Sequence, residues 1–142
     1  MVSKITAMTG LALLALAPAP CLAQLADLAI RVVEAGTVEG AIEVSLFNSA
    51  DTFMREPFLQ TSGAVAADGT FVAYFTAVPA GRYAVVAVHD ENSNGKLDNG
   101  LFGLGGEGYG FSNHASPMFG WPDFEDAAFT VEGPTGIEIK LD

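Results

Sequence analysis

Residues 83–88 read YAVVAV, a run that is apolar at every position and is bounded by turn residues before it and polar residues after it. The turn residues are VPAG at 78–81, and the polar stretch begins with His89 and Asp90. A short strand that is apolar on both faces is typically buried on both faces. The run therefore predicts a central strand, with the rest of the fold built outward from it.

The rest of the chain alternates apolar and polar residues with a period of two, as half-buried strands do. Leu28, Ile30 and Val32, for example, share one face of a predicted strand. Turns rich in Gly, Pro and Asp separate further alternating segments, which lie at residues 42–46, 62–66, 71–75, 129–131 and 137–141. About seven short strands at this spacing predict an all-β fold, a single immunoglobulin-like β-sandwich.

Residues 1–23 are predicted to be a cleavable signal peptide. Lys4 precedes the apolar run GLALLALA at residues 10–17, and residues 21–23 (CLA) have the small-x-small pattern of a cleavage site. The apolar run is well short of the roughly 20 residues that a membrane-spanning helix needs. Cleavage would leave residues 24–142 as one domain without cysteine, and hence without disulfides, in the periplasm or outside a bacterial cell.

The chain is strongly acidic, with 17 Asp and Glu against 6 Lys and Arg and a formal net charge of −11. Because Lys4 is the only charged residue of the leader, the exported domain would keep 5 basic residues against all 17 acidic ones. Such a surface repels nucleic acid phosphates and anionic lipid, so we expect neither a nucleic acid partner nor membrane insertion after cleavage. A cation site and an extracytoplasmic protein or glycan partner stay open.

Residues 90–98, DENSNGKLD, match the front of an EF-hand-type Ca²⁺ loop. Alternate side chains of such a loop point at the ion as the backbone curls around it, and Gly95 at loop position 6 permits the sharp turn. Hard oxygen donors suit Ca²⁺ better than Zn²⁺ or Cu²⁺. The predicted metal ligands are the side chains of Asp90, Asn92, Asn94 and Asp98 and the main-chain carbonyl of Lys96.

The match departs from an EF-hand at loop position 12, where Leu101 stands in place of the bidentate glutamate. The flanks are a strand and a Gly-rich loop rather than two helices, so a Ca²⁺ loop here would take a further ligand from elsewhere in a β framework. The candidates are Glu107, Asp123, Glu125 and Asp126. The alternative is an Asx-rich surface turn without an ion, because Asn, Asp and Gly are also the residues that turns prefer.

Residues 99–126 form the least regular segment, with seven glycines, six aromatic residues and no clear strand. A loop this long in a compact domain is usually functional or internally organised. Tyr109, Phe119 and Trp121 are the predicted ligand-binding residues, since exposed rings can stack on a sugar face or hold a peptide. The alternative is that these rings plug the open end of the sandwich.

Four segments carry further motifs: the run at 79–98, which includes HDENSNGKLD, the motif EGYGFSN at 107–113, and the shorter stretches VSLFN at 44–48 and FEDA at 124–127. Together they resemble the DUF2141 family of uncharacterised secreted bacterial proteins. The resemblance implies a prealbumin-like β-sandwich, of the type found in transthyretin and in carboxypeptidase regulatory domains. It implies no established activity.

His89 and His114 are the only histidines, and neither stands in a recognisable nucleophile or metal-ligand spacing. The sequence therefore leads us to expect an exported, non-enzymatic β-sandwich module with a structural Ca²⁺ loop. One alternative is a carbohydrate- or peptide-binding module that uses the aromatic segment at 99–126. A second alternative is a small hydrolase around His89 and His114.

Overall fold

The computed structural model of the chain describes residues 22–95 and 106–142, so residues 1–21 of the predicted leader lie outside the described residues. The described part holds one short α-helix, α1 (Phe124–Ala127), and none of its helices is long and apolar enough to span a membrane. It also holds eight strands, against about seven expected from the alternation. They are β1 (Leu25–Val33), β2 (Ala41–Phe47), β3 (Leu59–Ala64), β4 (Phe71–Pro79), β5 (Gly81–Asp90), β6 (Tyr109–Phe111), β7 (Phe129–Val131) and β8 (Thr135–Lys140).

The strands form two sheets that pack face to face. The first has the order β4-β1-β8, and the second has the order β3-β2-β5-β6, with β7 paired to the start of β5. β1 and β8 run parallel, with Ile30 opposite Ile137, and the other named pairs are antiparallel. The predicted all-β sandwich is therefore confirmed.

The apolar positions of the alternating strands meet between the two sheets and form the inner core. On β1, Leu28, Ile30 and Val32 are fully buried, whereas Arg31 between them is exposed. Removal of these side chains from water is the main favourable term in folding. The same period on the other strands adds Ile42, Val44, Leu46, Ala73, Phe75, Tyr83, Val85, Ala87 and Ile139.

The central strand predicted at residues 83–88 is confirmed as β5, which is buried on both faces. Tyr83, Val85 and Ala87 face the inner core, and Ala84 and Val86 face away from it. A second apolar group, the outer cluster, covers that outward face with side chains from the segment after β2, from β6 and from α1. Its buried members are Phe47, Phe53, Ala84, Val86, Phe111, Phe124, Ala127 and Ala128.

The expectation that residues 99–126 contain no strand is wrong, because β6 lies inside that range. β6 pairs with β5, and its Phe111 stands opposite Val86. Gly110 permits this packing, since a Cβ at that position would collide with the main-chain carbonyl of Lys140 on β8. Three residues are too few to show a period of two, so the sequence pattern could not reveal this strand.

Candidate functional site

The predicted Ca²⁺ loop begins at Asp90, the last residue of β5, whose carboxylate organises the turn that follows. Its Oδ1 accepts a hydrogen bond from the Asn94 N–H at 3.0 Å, and its Oδ2 accepts one from the Gly95 N–H at 2.7 Å. Asn92 Oδ1 also accepts from the Asn94 N–H, at 3.0 Å. The backbone therefore curls around Asp90, as a loop with ligands at alternate positions requires.

Left-handed backbone at two positions produces the tight curl. The φ angle is 56° at Ser93 and 72° at Gly95. Glycine adopts this conformation without steric cost, which explains the residue at loop position 6. Three of the five predicted metal ligands lie in this turn, and the other two, Lys96 and Asp98, lie outside the described residues.

The carboxyl group of Asp90 is held in its ionised form. The hydrogen bond from the Gly95 N–H lowers its pKa below the ordinary value of 3.8, and desolvation opposes the shift. Smaller contributions that lower the pKa come from the N–H groups of Asn94 and Ser93 and from a hydrogen bond with the Glu107 side chain. An anionic oxygen, the form that binds a cation, is therefore present at neutral pH.

Glu107 is the candidate further ligand that the structure places beside Asp90. Its residue surface is only 7% exposed, and its side chain hydrogen-bonds that of Asp90. The segment is held there by the His89 N–H, which donates to the Gly108 carbonyl at 2.8 Å. A carboxyl group from a separate part of the chain thus lies next to the loop that lacks a glutamate at position 12.

The other three candidate carboxylates lie near the opposite end of β5. Oε2 of Glu125 pairs with Nη1 of Arg82 at 2.6 Å. Arg82 precedes Asp90 by eight residues of β5, which is about 26 Å of strand. Asp123 and Asp126 cap the first turn of α1, where the Asp123 N–H donates to Oδ2 of Asp126 at 3.1 Å. These three residues are therefore too far away to bind the same ion as Asp90.

The described residues supply part of the donor set of a Ca²⁺ site. The oxygens of Asp90, Asn92 and Glu107 are hard donors, and Ca²⁺ takes about six to eight of them. No group of three or more His, Cys, Asp and Glu side chains converges within residues 22–95 and 106–142. A full coordination sphere would therefore draw on amide, main-chain and water oxygens and on Lys96 and Asp98.

The two histidines lie in different environments. His89 is fully buried, and its Nε2 donates to the main-chain carbonyl of Glu39 at 2.7 Å. His114 is exposed in a short 3-10 turn after β6. Ser112 anchors that turn by accepting a hydrogen bond from the Val85 N–H at 2.8 Å. Val85 lies on β5 about 13 Å of strand away from His89. This geometry gives no support to a hydrolytic site that uses both imidazoles.

Two of the three predicted ligand-binding residues, Tyr109 and Trp121, are in contact. Their ring centroids lie 5.3 Å apart, and the Phe111 ring lies 5.9 Å from that of Trp121. Trp121 is nevertheless 48% exposed, and Phe119 is 98% exposed. The segment thus divides between the two sequence-based alternatives: Tyr109 and Phe111 pack on the sandwich, whereas Trp121 and Phe119 lie at the surface.

A surface cavity of about 430 Å³ lies beside Trp121, between the segment that follows β2 and the start of α1. Nothing in the sequence pointed to it, because its two walls are far apart along the chain. Its lining includes Phe53, Met54, Trp121, Asp123, Phe124 and Glu125.

Comparison with protein families matches residues 30–138 to the family described as "Uncharacterized protein conserved in bacteria (DUF2141)". The matched range runs from β1 to β8 and includes the Asp90 turn and the aromatic surface formed by Phe119 and Trp121. No curated protein and no solved structure matches the chain. The family description states no activity, so a function has to be argued from the residues themselves.

Proposed function

We propose, from the premise that this chain belongs to the DUF2141 family of uncharacterised bacterial proteins, that it is an exported, non-enzymatic β-sandwich module with a structural Ca²⁺ ion at the Asp90 loop. The observation that carries the proposal is the ionised Asp90 carboxylate at the centre of the turn, with the buried Glu107 side chain beside it. The ion would tie the end of β5 to the segment that leads into β6.

Electrostatics favours a cation at this position. Asp90 and Glu107 place two carboxyl groups side by side, and Glu107 is buried. A buried charge is costly unless an opposite charge pairs with it. A divalent cation bound to both would offset their repulsion and the lost hydration. The proposed coordination is completed by the side chains of Asn92, Asn94 and Asp98 and by the Lys96 carbonyl.

Export to the periplasm or beyond is part of the same proposal. It is supported by the leader-like sequence of residues 1–23 and by the acidic composition. Ca²⁺ sites of extracellular modules have Kd values on the order of 10⁻⁴–10⁻³ M, a range that suits compartments outside the cytoplasm. Mass spectrometry of the protein recovered from the periplasm of an expressing bacterium should give the mass of residues 24–142. A mass that includes residues 1–23 would contradict cleavage.

The Ca²⁺ proposal is tested by thermal unfolding of metal-stripped protein in 10 mM CaCl₂ and in EDTA. A ligand that binds only the folded state stabilises it by RT ln(1 + [L]/Kd), which is about 1.4–2.7 kcal/mol for the Kd range above. We expect a Tm several degrees higher with Ca²⁺. Equal Tm values in the two conditions would rule out the structural ion.

Two variants show whether the effect belongs to this site. Glu107→Gln keeps the size of the side chain but removes its charge, and it should lose most of the Ca²⁺ response. The matched control is Asp68→Ala in the turn between β3 and β4, where Oδ1 of Asp68 accepts from the Thr70 N–H at 3.2 Å. The control should keep the full Ca²⁺ response, even if its Tm is lower in both conditions.

A second candidate function is carbohydrate or peptide binding at the aromatic surface. It is favoured by the exposure of Phe119 and Trp121, since large apolar side chains grouped at a surface often mark an interaction site. Trp121 is also held by contacts with Tyr109 and Phe111, so little of its freedom would be lost on binding. The two candidates can both hold, because they use different residues.

A further inference from the structure

The cavity beside Trp121 has an apolar floor and an acidic rim. Phe53 and Phe124 are 9% and 6% exposed and form part of the outer cluster beneath it, with their ring centroids 5.9 Å apart. Met54, which is 38% exposed, contributes a flexible apolar wall. An apolar cleft of this kind holds the hydrocarbon part of a ligand.

Trp121 is fixed in position and still presents surface to the cavity. Its edgewise contacts with Tyr109 and Phe111, at 5.3 and 5.9 Å, hold it on the sandwich. About half of the residue remains exposed. Trp is the side chain whose ring attracts a cation most strongly.

The charged groups that line the cavity are both acidic. Asp123 and Glu125 are exposed at the start of α1, and no Lys or Arg belongs to the described lining. Glu125 contacts Arg82 through Oε2, but its side chain stays 65% exposed and can accept from a second donor. The cavity therefore combines a tryptophan ring with two carboxylates, one of which is paired with Arg82, over an apolar floor.

We infer that this cavity binds the side chain of a lysine or arginine from a basic segment of a partner protein, an inference that rests on the second candidate function. A long cationic side chain matches both parts of the site, since its stem is apolar and its head is charged. Exposed Phe119 and Met118 would contact the flanking residues of the partner. A second copy of this chain is a poor occupant, because it is equally acidic.

The inference is tested with a synthetic nonapeptide that carries three lysines among Gly and Ser, and with a counterpart that has Gln at those positions. Trp121 is the only tryptophan in the chain, so its fluorescence reports on this cavity. In 150 mM NaCl, where exposed charges more than about 8 Å apart are largely screened, we expect a saturable change of emission with the lysine peptide. The Gln peptide should produce none.

Charge-removing variants locate the effect. Glu125→Gln and Asp123→Asn should each weaken binding of the lysine peptide about three- to five-fold. Asn is as good an N-cap residue as Asp, so Asp123→Asn preserves the start of α1. The matched control is Glu138→Gln on β8, which removes the same charge and breaks an exposed ion pair between Glu138 Oε2 and Arg31 Nη1 at 2.7 Å. This variant should change the affinity for the lysine peptide less than about two-fold.

Three results would overturn the inference. An equal loss of affinity in Glu138→Gln would mean that overall charge, and not this cavity, attracts the peptide. A response to maltotriose without a response to the lysine peptide would make the cavity a sugar site, which would keep the second candidate function. No response to either probe would remove both, and the Ca²⁺ melting experiment, which concerns the Asp90 turn, would be unaffected.

Discussion

The two faces of β5 are buried by different kinds of structure. On the inner face, Val85 and its neighbours pack against strands of the opposite sheet. On the outer face, Val86 packs against the segment after β2, the short strand β6 and the one-turn helix α1. The same apolar strand is thus covered on one side by a hydrogen-bonded sheet and on the other by connecting segments.

This difference separates stability from recognition. Strands of a sheet are tied to each other along their length, so the inner face has little freedom to change without loss of the fold. Connecting segments tolerate change and more often carry binding residues. Both candidate sites belong to such segments: the Asp90 turn follows the end of β5, and the Trp121 cavity opens on the outer cluster.

The largest expected effect is the contrast between a truncation in the inner core and one in the outer cluster. Leu28→Ala should cost about 3–5 kcal/mol in the free energy of unfolding, because the sheets around a fully buried site cannot close the cavity. Phe53→Ala removes more atoms but should cost only about 3 kcal/mol, the low end of the range for such a change, since its connecting segment can settle into the space. Urea unfolding measures both, and a larger cost for Phe53 would show that the outer cluster is the more rigid of the two.

A smaller and better matched contrast uses adjacent residues of β5. Val85→Ala and Val86→Ala remove the same two methyl groups on opposite faces, from side chains that are 0% and 5% exposed. We expect about 2–3 kcal/mol for Val85 and about 1–2 kcal/mol for Val86. Equal losses in urea unfolding would mean that the two faces are packed to the same tightness.

The smallest expected effect concerns the acid dependence of the turn at the end of β5. The pKa of Asp90 is lowered in the folded state, so its ionised form stabilises the fold above pH 3.8, and that contribution is lost as the pH falls below it. Asp90→Asn does not titrate. In EDTA, the stability gap between wild type and Asp90→Asn should therefore be largest near pH 7 and should close as the pH falls below 3.8.

Asp68→Asn provides the comparison for this pH dependence. Hydrogen bonds from the Thr70 side chain and backbone likewise lower the pKa of Asp68, so its gap should close in the same direction. Urea unfolding at several pH values measures both variants. A gap for Asp90 that widens as the pH falls would contradict the ionised state on which the Ca²⁺ proposal depends.

Much of the fold could be predicted from the sequence because alternation is a local property. The inward positions of β1, β2 and β4 and the double burial of β5 follow from which residues are apolar and how they are spaced. The turn at Asp90 was equally readable, since its hydrogen bonds join residues no more than five positions apart.

Tertiary structure alone decided how distant segments meet. It placed Glu107 beside Asp90 and put Asp123, Glu125 and Asp126 near the other end of β5, although all four carboxylates looked equivalent along the chain. It also separated His89 from His114 and joined the segment after β2 to Trp121 around a cavity.

The sequence by itself determined the alternating strands, the double burial of β5 and the curl of the Asp90 turn, because each depends on neighbours along the chain. The partners across the molecule depended on strand order and on a close approach that only Gly110 permits. Such pairings reflect the packing of the whole sandwich, and no local pattern of residues encodes them.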